Sequence, residues 1–205
     1  MILDYSYWYF NGVIKPEVCQ RIINIGQDKI PQLGMTAKYA YKDDGDYNEE
    51  DKQHVLKTRN SNVSWLNEPW IFNIVRPWIQ RANENADWNY EWDYTESAQF
   101  TVYNKGQFYD WHPDQASKPY VESDGPDKNG KYRKLSCTIL LNDPQEFEGG
   151  DLEFQVEQNK TMICNELTTV GSIVVFPSFV LHRVLPVTRG TRYSLVMWHL
   201  GYPFK

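Results

Sequence analysis

From residue 88 onward the chain is a succession of short segments rich in β-branched and aromatic residues. Turn signals separate several of them, among them Asn129-Gly130, Gly149-Gly150 and Arg189-Gly190. Strands are read at 88–94, 97–104, 107–112, 134–141, 151–157, 160–166, 171–176, 182–186 and 191–199. The first 87 residues are different. A strand at 5–10 precedes a helix that starts at Pro16 and carries Val18, Cys19, Ile22 and Ile23 at helical spacing to about residue 29. Residues 35–41 read as extended and 58–66 as a strand. A second helix runs from Pro69, with Asn67 as its cap, to about Asn85. Trp70, Ile71, Ile74, Val75, Trp78 and Ile79 form its apolar stripe, and Pro77 inside it predicts a kink. Two helices followed by many strands imply a mainly β fold with flanking helices. The core is a double-stranded β-helix of jelly-roll or cupin-like type, with the N-terminal helices packed on one sheet. The 205 residues read as one domain, 1–87 as a helix and strand support region and 88–205 as the β-core.

Composition narrows the function classes. A net charge of -6 argues against a nucleic-acid partner, whose backbone demands cations. No apolar run approaches the roughly 20 residues of a membrane span. The start, Met1-Ile2-Leu3-Asp4-Tyr5, lacks the basic residues of a secretory signal. Cys19, Cys137 and Cys164 have no metal-type spacing, and a reducing, cytoplasmic setting is expected. Cys137 and Cys164 are read as small buried apolar groups. The 8 Trp, 14 Tyr and 9 Phe read as a filled core before a sugar-stacking surface.

Only four histidines occur, and two of them stand in one pattern. In a strand, residues i and i+2 face the same side, so His112 and Asp114 share a face while Pro113 turns away. Gly171–Pro177 reads as a buried strand leading into His182, and Arg192 follows ten residues later. Two imidazoles and a carboxylate can bind one face of a ferrous ion and leave the other open. Arg192 can hold a dicarboxylate by two parallel hydrogen bonds. On the last strand Arg192, Ser194, Val196 and Trp198 share one face, and Tyr193, Leu195, Met197 and His199 the other. His199 is therefore a poor ligand candidate. Asp110 shares the face of His112 only in a regular strand and is not taken as a ligand; His54 is read as surface. Zinc accepts the same ligands in a cupin-like hydrolase or isomerase, which leaves Arg192 unexplained. A jelly-roll carbohydrate-binding module leaves the triad unexplained.

Three segments together resemble prolyl 4-hydroxylase-type Fe(II)/2-oxoglutarate-dependent oxygenases of the bacterial and viral branch. They are Tyr103–Asp114, Leu140–Asp143 with Glu148–Leu152, and Gly171–Pro177 through His182 to Arg192. The likeness covers about residues 98–200. It implies Fe(II) on His112, Asp114 and His182. It also implies that Arg192 holds the far carboxylate of 2-oxoglutarate, that Tyr103 hydrogen-bonds this co-substrate and that Ser194 assists. O2 would be consumed and succinate and CO2 released, with ascorbate as a supporting reductant. The implied substrate is a prolyl residue in a peptide or protein, the alternative a free amino acid or other small molecule. Two departures separate the chain from particular branches. Collagen-type enzymes usually carry lysine where Arg192 stands, and the oxygen-sensing branch has a tyrosine near the position of Leu140.

Two stretches read either as plain connections or as segments that close over substrate: 42–53 and 115–133. The first holds six acidic residues, Asp43, Asp44, Asp46, Glu49, Glu50 and Asp51. It is expected to be mobile, to become ordered over substrate and to favour a basic or neutral one.

Overall fold

The computed structural model describes residues 5–29, 31–34 and 49–203, with the side chains of 49–52 excepted. Three helices occur among them: α1 (Pro16–Asp28), α2 (Glu49–Thr58) and α3 (Pro69–Asn85). The early strands are β1 (Trp8–Phe10), β2 (Gln32–Leu33), β3 (Arg59–Asn60), β4 (Asn62–Leu66) and β5 (Tyr94–Thr95). Then come β6 (Ala98–Asn104), β7 (Phe108–His112), β8 (Tyr132–Leu140), β9 (Phe147–Gly149) and β10 (Leu152–Glu157). The last are β11 (Lys160–Ile163), β12 (Ile173–Pro177), β13 (His182–Val184) and β14 (Val187–Gly201).

The strands form two antiparallel sheets. The larger runs β1-β12-β8-β14-β6-β4-β2, with β5 and β9 also on β14; the smaller runs β11-β10-β13-β7-β3. This is the double-sheet, jelly-roll architecture expected. The strand period of two divides β14. Leu195 and Met197 enter the core beneath the helices, with Ile22, Ile71, Val75, Ile79 and Phe100. Arg192, Ser194, Val196 and Trp198 face the space between the sheets. A second apolar cluster lies there, including Leu152, Phe154, Val174, Phe176 and Val184.

Gly26 of α1 explains one close packing. A Cβ at that position would run into the ring of Phe100 on β6, so the missing side chain lets helix and sheet meet. Both helices that start on proline lack a side-chain cap: Lys15 stands at the N-cap of α1 and Glu68 at that of α3. Asn67 is therefore not the cap; Pro69 occupies the first turn, where its missing N–H costs nothing. Helix α3 runs on through Pro77.

Other expectations change. Residues 88–94 do not form a strand except at Tyr94. Asn83 replaces the ladder: its amide donates to Tyr90 O (3.0 Å) and its carbonyl accepts from Tyr90 N (3.0 Å). Asp87 and Asn89 adopt left-handed φ values of 53° and 52°, which a strand cannot accommodate. The stretch 58–66 is two strands in two sheets, parted at Ser61. From Glu49 the acidic run is helix α2, which Val55 anchors at 0 % exposure. Residues 42–48, and the extended stretch read at 35–41, lie outside the described residues. The loop after Asp114 is internally bonded. Tyr120 bonds back across the loop at both backbone groups: its N–H donates to Lys131 O and its O accepts from Gly130 N–H, both at 2.9 Å. Lys131 pairs with Asp93 (2.7 Å) and Lys128 with Glu96 (3.1 Å). No helix among the described residues is long and apolar enough to cross a membrane.

Candidate active site

His112 ends β7 and His182 begins β13, and the two are direct partners in the antiparallel register. Asp114 follows His112 two residues on, just past the end of the strand. Its N–H and that of Gln115 both donate to Ser178 O at 2.8 Å, which pins the chain back toward the sheet. Ligand atoms of the three side chains lie within 4.8 Å of one another. His112 Nε2 is 3.8 Å from Asp114 Oδ1, and His182 Nε2 is 3.6 Å from Asp114 Oδ2.

The backbone sets the tautomers. His112 Nδ1 lies 2.7 Å from Asp110 O, and His182 Nδ1 lies 3.0 Å from Val180 O. A carbonyl only accepts, so each Nδ1–H donates and each Nε2 turns its lone pair to the cluster. Burial, then His182, pushes the pKa of His112 down to about 3, so its contact with Asp114 is no ion pair at neutral pH. Burial works to raise the carboxyl of Asp114. His182, His112, Arg133 and the Ser136 hydroxyl outweigh it and hold the group below its ordinary value. Asp114 Oδ2 is buried with no hydrogen-bond partner among the described residues. Three acceptors thus converge on one point with no donor between them, and a divalent cation resolves that arrangement. Two imidazoles and one carboxylate suit Fe(II) with an open face, and also zinc.

The cluster opens into a cavity of about 270 Å³ between the sheets. Arg192 lies in its wall, 3 % exposed and opposite Tyr103 in the β14–β6 register. Its guanidinium carbon is 5.8 Å from the centre of the Tyr103 ring. Burial holds its pKa below the ordinary arginine value against the pull of Tyr103 and Asp151, yet an arginine remains charged. Among the described residues none hydrogen-bonds Arg192 or forms an ion pair with it. A buried cation that faces a cavity and is paired with no carboxylate is a receptor for an anion. Ser194, 1 % exposed, lines the same wall. Gly150 makes room for the arginine stem. Its φ is +70°, and an added Cβ would lie 2.9 Å from Arg192 Cδ.

Four more groups stand in the cavity wall to which the sequence assigns no role. Arg133 lies over the Trp198 ring at 3.9 Å while its Nε donates to Glu96 at 2.6 Å. Trp65 stands 6.1 Å from Trp198. Arg59 and Tyr109 lie beside His112. The period-two pattern already placed Trp198 on the face of Arg192. Arg59 and Arg133 come from distant strands, and no local signal marks them. Asp110 is exposed and outside the ligand cluster, and His54 is exposed. His199 is fully buried on the other face of β14, where its Nδ1 lies 3.0 Å from Thr95 Oγ1.

Residues 98–200 match the 2OG-Fe(II) oxygenase superfamily. A PKHD-type hydroxylase from Xylella fastidiosa (strain 9a5c) is 33 % identical over 99 residues, 48 % of this chain and 42 % of that protein. The match thus spans less than half of that relative's length. Two solved structures share the fold. A prolyl hydroxylase from Trichoplax adhaerens, in complex with a hypoxia inducible factor oxygen degradation domain peptide fragment, superposes with a TM-score of 0.67 at 19 % identity, covering 96 % of this chain and 84 % of that one. A viral collagen prolyl hydroxylase from Paramecium Bursaria Chlorella virus-1 gives 0.64 at 16 %, covering 97 % of each.

Proposed function

The chain belongs to the 2OG-Fe(II) oxygenase superfamily, and from that premise we propose that it hydroxylates a prolyl residue in a peptide or protein as a single oxygenase domain. The observation that carries the reading is the pairing of two features in one cavity: three converging metal donors and a buried arginine without a partner carboxylate among the described residues. His112, Asp114 and His182 would hold Fe(II). The bound iron supplies the redox chemistry that couples decarboxylation of 2-oxoglutarate, to succinate and CO2, with insertion of an oxygen atom from O2 into a C–H bond. Arg192 pairs with the far carboxylate of 2-oxoglutarate and so sets its reach toward the metal. Tyr103 and Ser194 stand beside that carboxylate with hydroxyls to offer. Leu152, Phe176 and Val184 line the cavity with apolar surface and limit water near the metal. Ascorbate serves as an external reductant.

The substrate reading has two supports. The fold neighbours named above act on prolyl residues by their own descriptions. The cavity lining also includes Trp65, Tyr120 and Trp198, flat surfaces suited to a pyrrolidine ring and the chain on either side of it. A second reading, a free amino acid or other carboxylate-bearing small molecule, draws on Arg59 and Arg133 in the same cavity, where Asp114 is the only lining carboxylate among the described residues. The buried, unbridged cysteines are in keeping with a reducing, cytoplasmic setting.

Succinate release with and without added Fe(II), driven by a proline-containing peptide library or by free amino acids, tests the proposal. A peptide that gains one oxygen atom at proline, in step with succinate, supports it. Iron-independent turnover, or oxygen gain by free amino acids alone, refutes it.

A further inference from the structure

We infer that Arg59 is a positioning residue for the metal site, acting through Tyr109 on the imidazole of His112. The inference rests on the metal reading above. Arg59 lies outside the residues that match the family, on the two-residue strand β3. It stands directly opposite Tyr109 in the β3–β7 register and is 4 % exposed. Its guanidinium carbon is 4.5 Å from the centre of the Tyr109 ring. The Tyr109 ring in turn lies 3.4 Å from the His112 ring, with 13° between their planes. A guanidinium and an imidazole at those distances cannot share one ring face. Tyr109 is therefore held between them.

The stack supplies a constraint that the hydrogen bond does not. The bond from His112 Nδ1–H to Asp110 O fixes one direction in the plane of the ring. The ring can still rock about that axis, and rocking swings the Nε2 lone pair off the metal. A parallel ring pressed on its face removes that freedom. Arg59 loads the far side of Tyr109 by cation–π attraction.

The seat of Arg59 is itself built. Its Nε donates to Ser61 Oγ at 2.9 Å. Gly34 N–H donates to Ser61 O at 2.8 Å, which brings that backbone against the arginine. A Cβ on Gly34 would run into Ser61 Oγ and would lie 2.5 Å from Arg59 Nε. Gly34 is not in the left-handed region, so the position requires the missing side chain and not an unusual backbone. Gly34→Ala therefore displaces the guanidinium without altering any charge.

Co(II) binding to the full chain tests the stack without turnover. Arg59→Lys keeps the charge and loses the planar contact. Both Arg59→Lys and Gly34→Ala should retain the folded circular-dichroism spectrum. Each should raise the Co(II) dissociation constant roughly 10-fold or more and change the visible d–d band, as loss of an outer support does at other metal sites. Unchanged affinity and an unchanged band in the folded variants overturn the inference. If Arg59→Lys does not fold, Gly34→Ala alone decides. His182→Ala runs beside them. If it binds Co(II) as the parent does, the metal reading has failed and not the stack alone.

Discussion

His182 stands directly across the β7–β13 pairing from His112, with 4.2 Å between ring centres. Two ligands far apart in sequence are thus set by one backbone register. A one-residue slip would send one of them to the outer face. Replacing His182 by alanine should therefore abolish succinate production and Co(II) binding while the sheets persist. Retained metal-dependent turnover in His182→Ala would remove it from the site.

Arg192→Met keeps length and apolar bulk and removes the charge. Truncating one partner of a buried, hydrogen-bonded charge pair costs about 2 kcal/mol or more, or roughly 30-fold in affinity. The apparent constant for 2-oxoglutarate should rise by at least that factor, with Fe(II) affinity little changed. Initial rates across a 2-oxoglutarate series would show it, and an unshifted curve would contradict the assignment.

His199 governs part of the acid stability. Burial, then Arg76, pushes its pKa from 6.5 down to about 3 in the folded chain. The unfolded chain takes up the proton first as pH falls. The stability held by neutral His199 is complete above pH 6.5 and drains away between there and about 3. The slope approaches about 1.4 kcal/mol per pH unit. Urea titrations at pH 7 and pH 5 should show a smaller loss in His199→Gln than in the parent. Equal losses would mean that His199 does not carry the dependence.

Gly26→Ala should destabilise the fold. Helix propensity alone would favour alanine by about 1 kcal/mol. The added methyl meets Phe100 in a filled core, and overpacking costs about 1–3 kcal/mol. Thermal melts will show which effect wins; a raised melting temperature would mean that α1 slides off β6 at little cost.

Much of the architecture is visible in sequence because it repeats locally. The alternation along β14 sorts Arg192 from Leu195 without any knowledge of partners. The His-x-Asp spacing likewise puts two ligand types on one side. What stays hidden depends on pairing at a distance. Arg59 reaches the cavity because two residues join β7, and Arg133 because β8 passes between β12 and β14. Helix α2 is hidden because charge dominates its sequence and Val55 is its only fully buried described residue. Residues 88–93 carry the right residue types for a strand, but the Asn83 side chain takes both backbone groups of Tyr90, and the Asn83 backbone carbonyl takes the N–H groups of Trp88 and Asn89.

The break at Ser61 has a mechanical consequence. Asn60 is bonded into the smaller sheet and Asn62 into the larger, with a single residue between them. The two walls of the cavity are stitched together along that side by covalent chain. Prising them apart there would tear either the β3–β7 or the β4–β6 pairing. A substrate that needs more room gains none at that edge without breaking sheet hydrogen bonds.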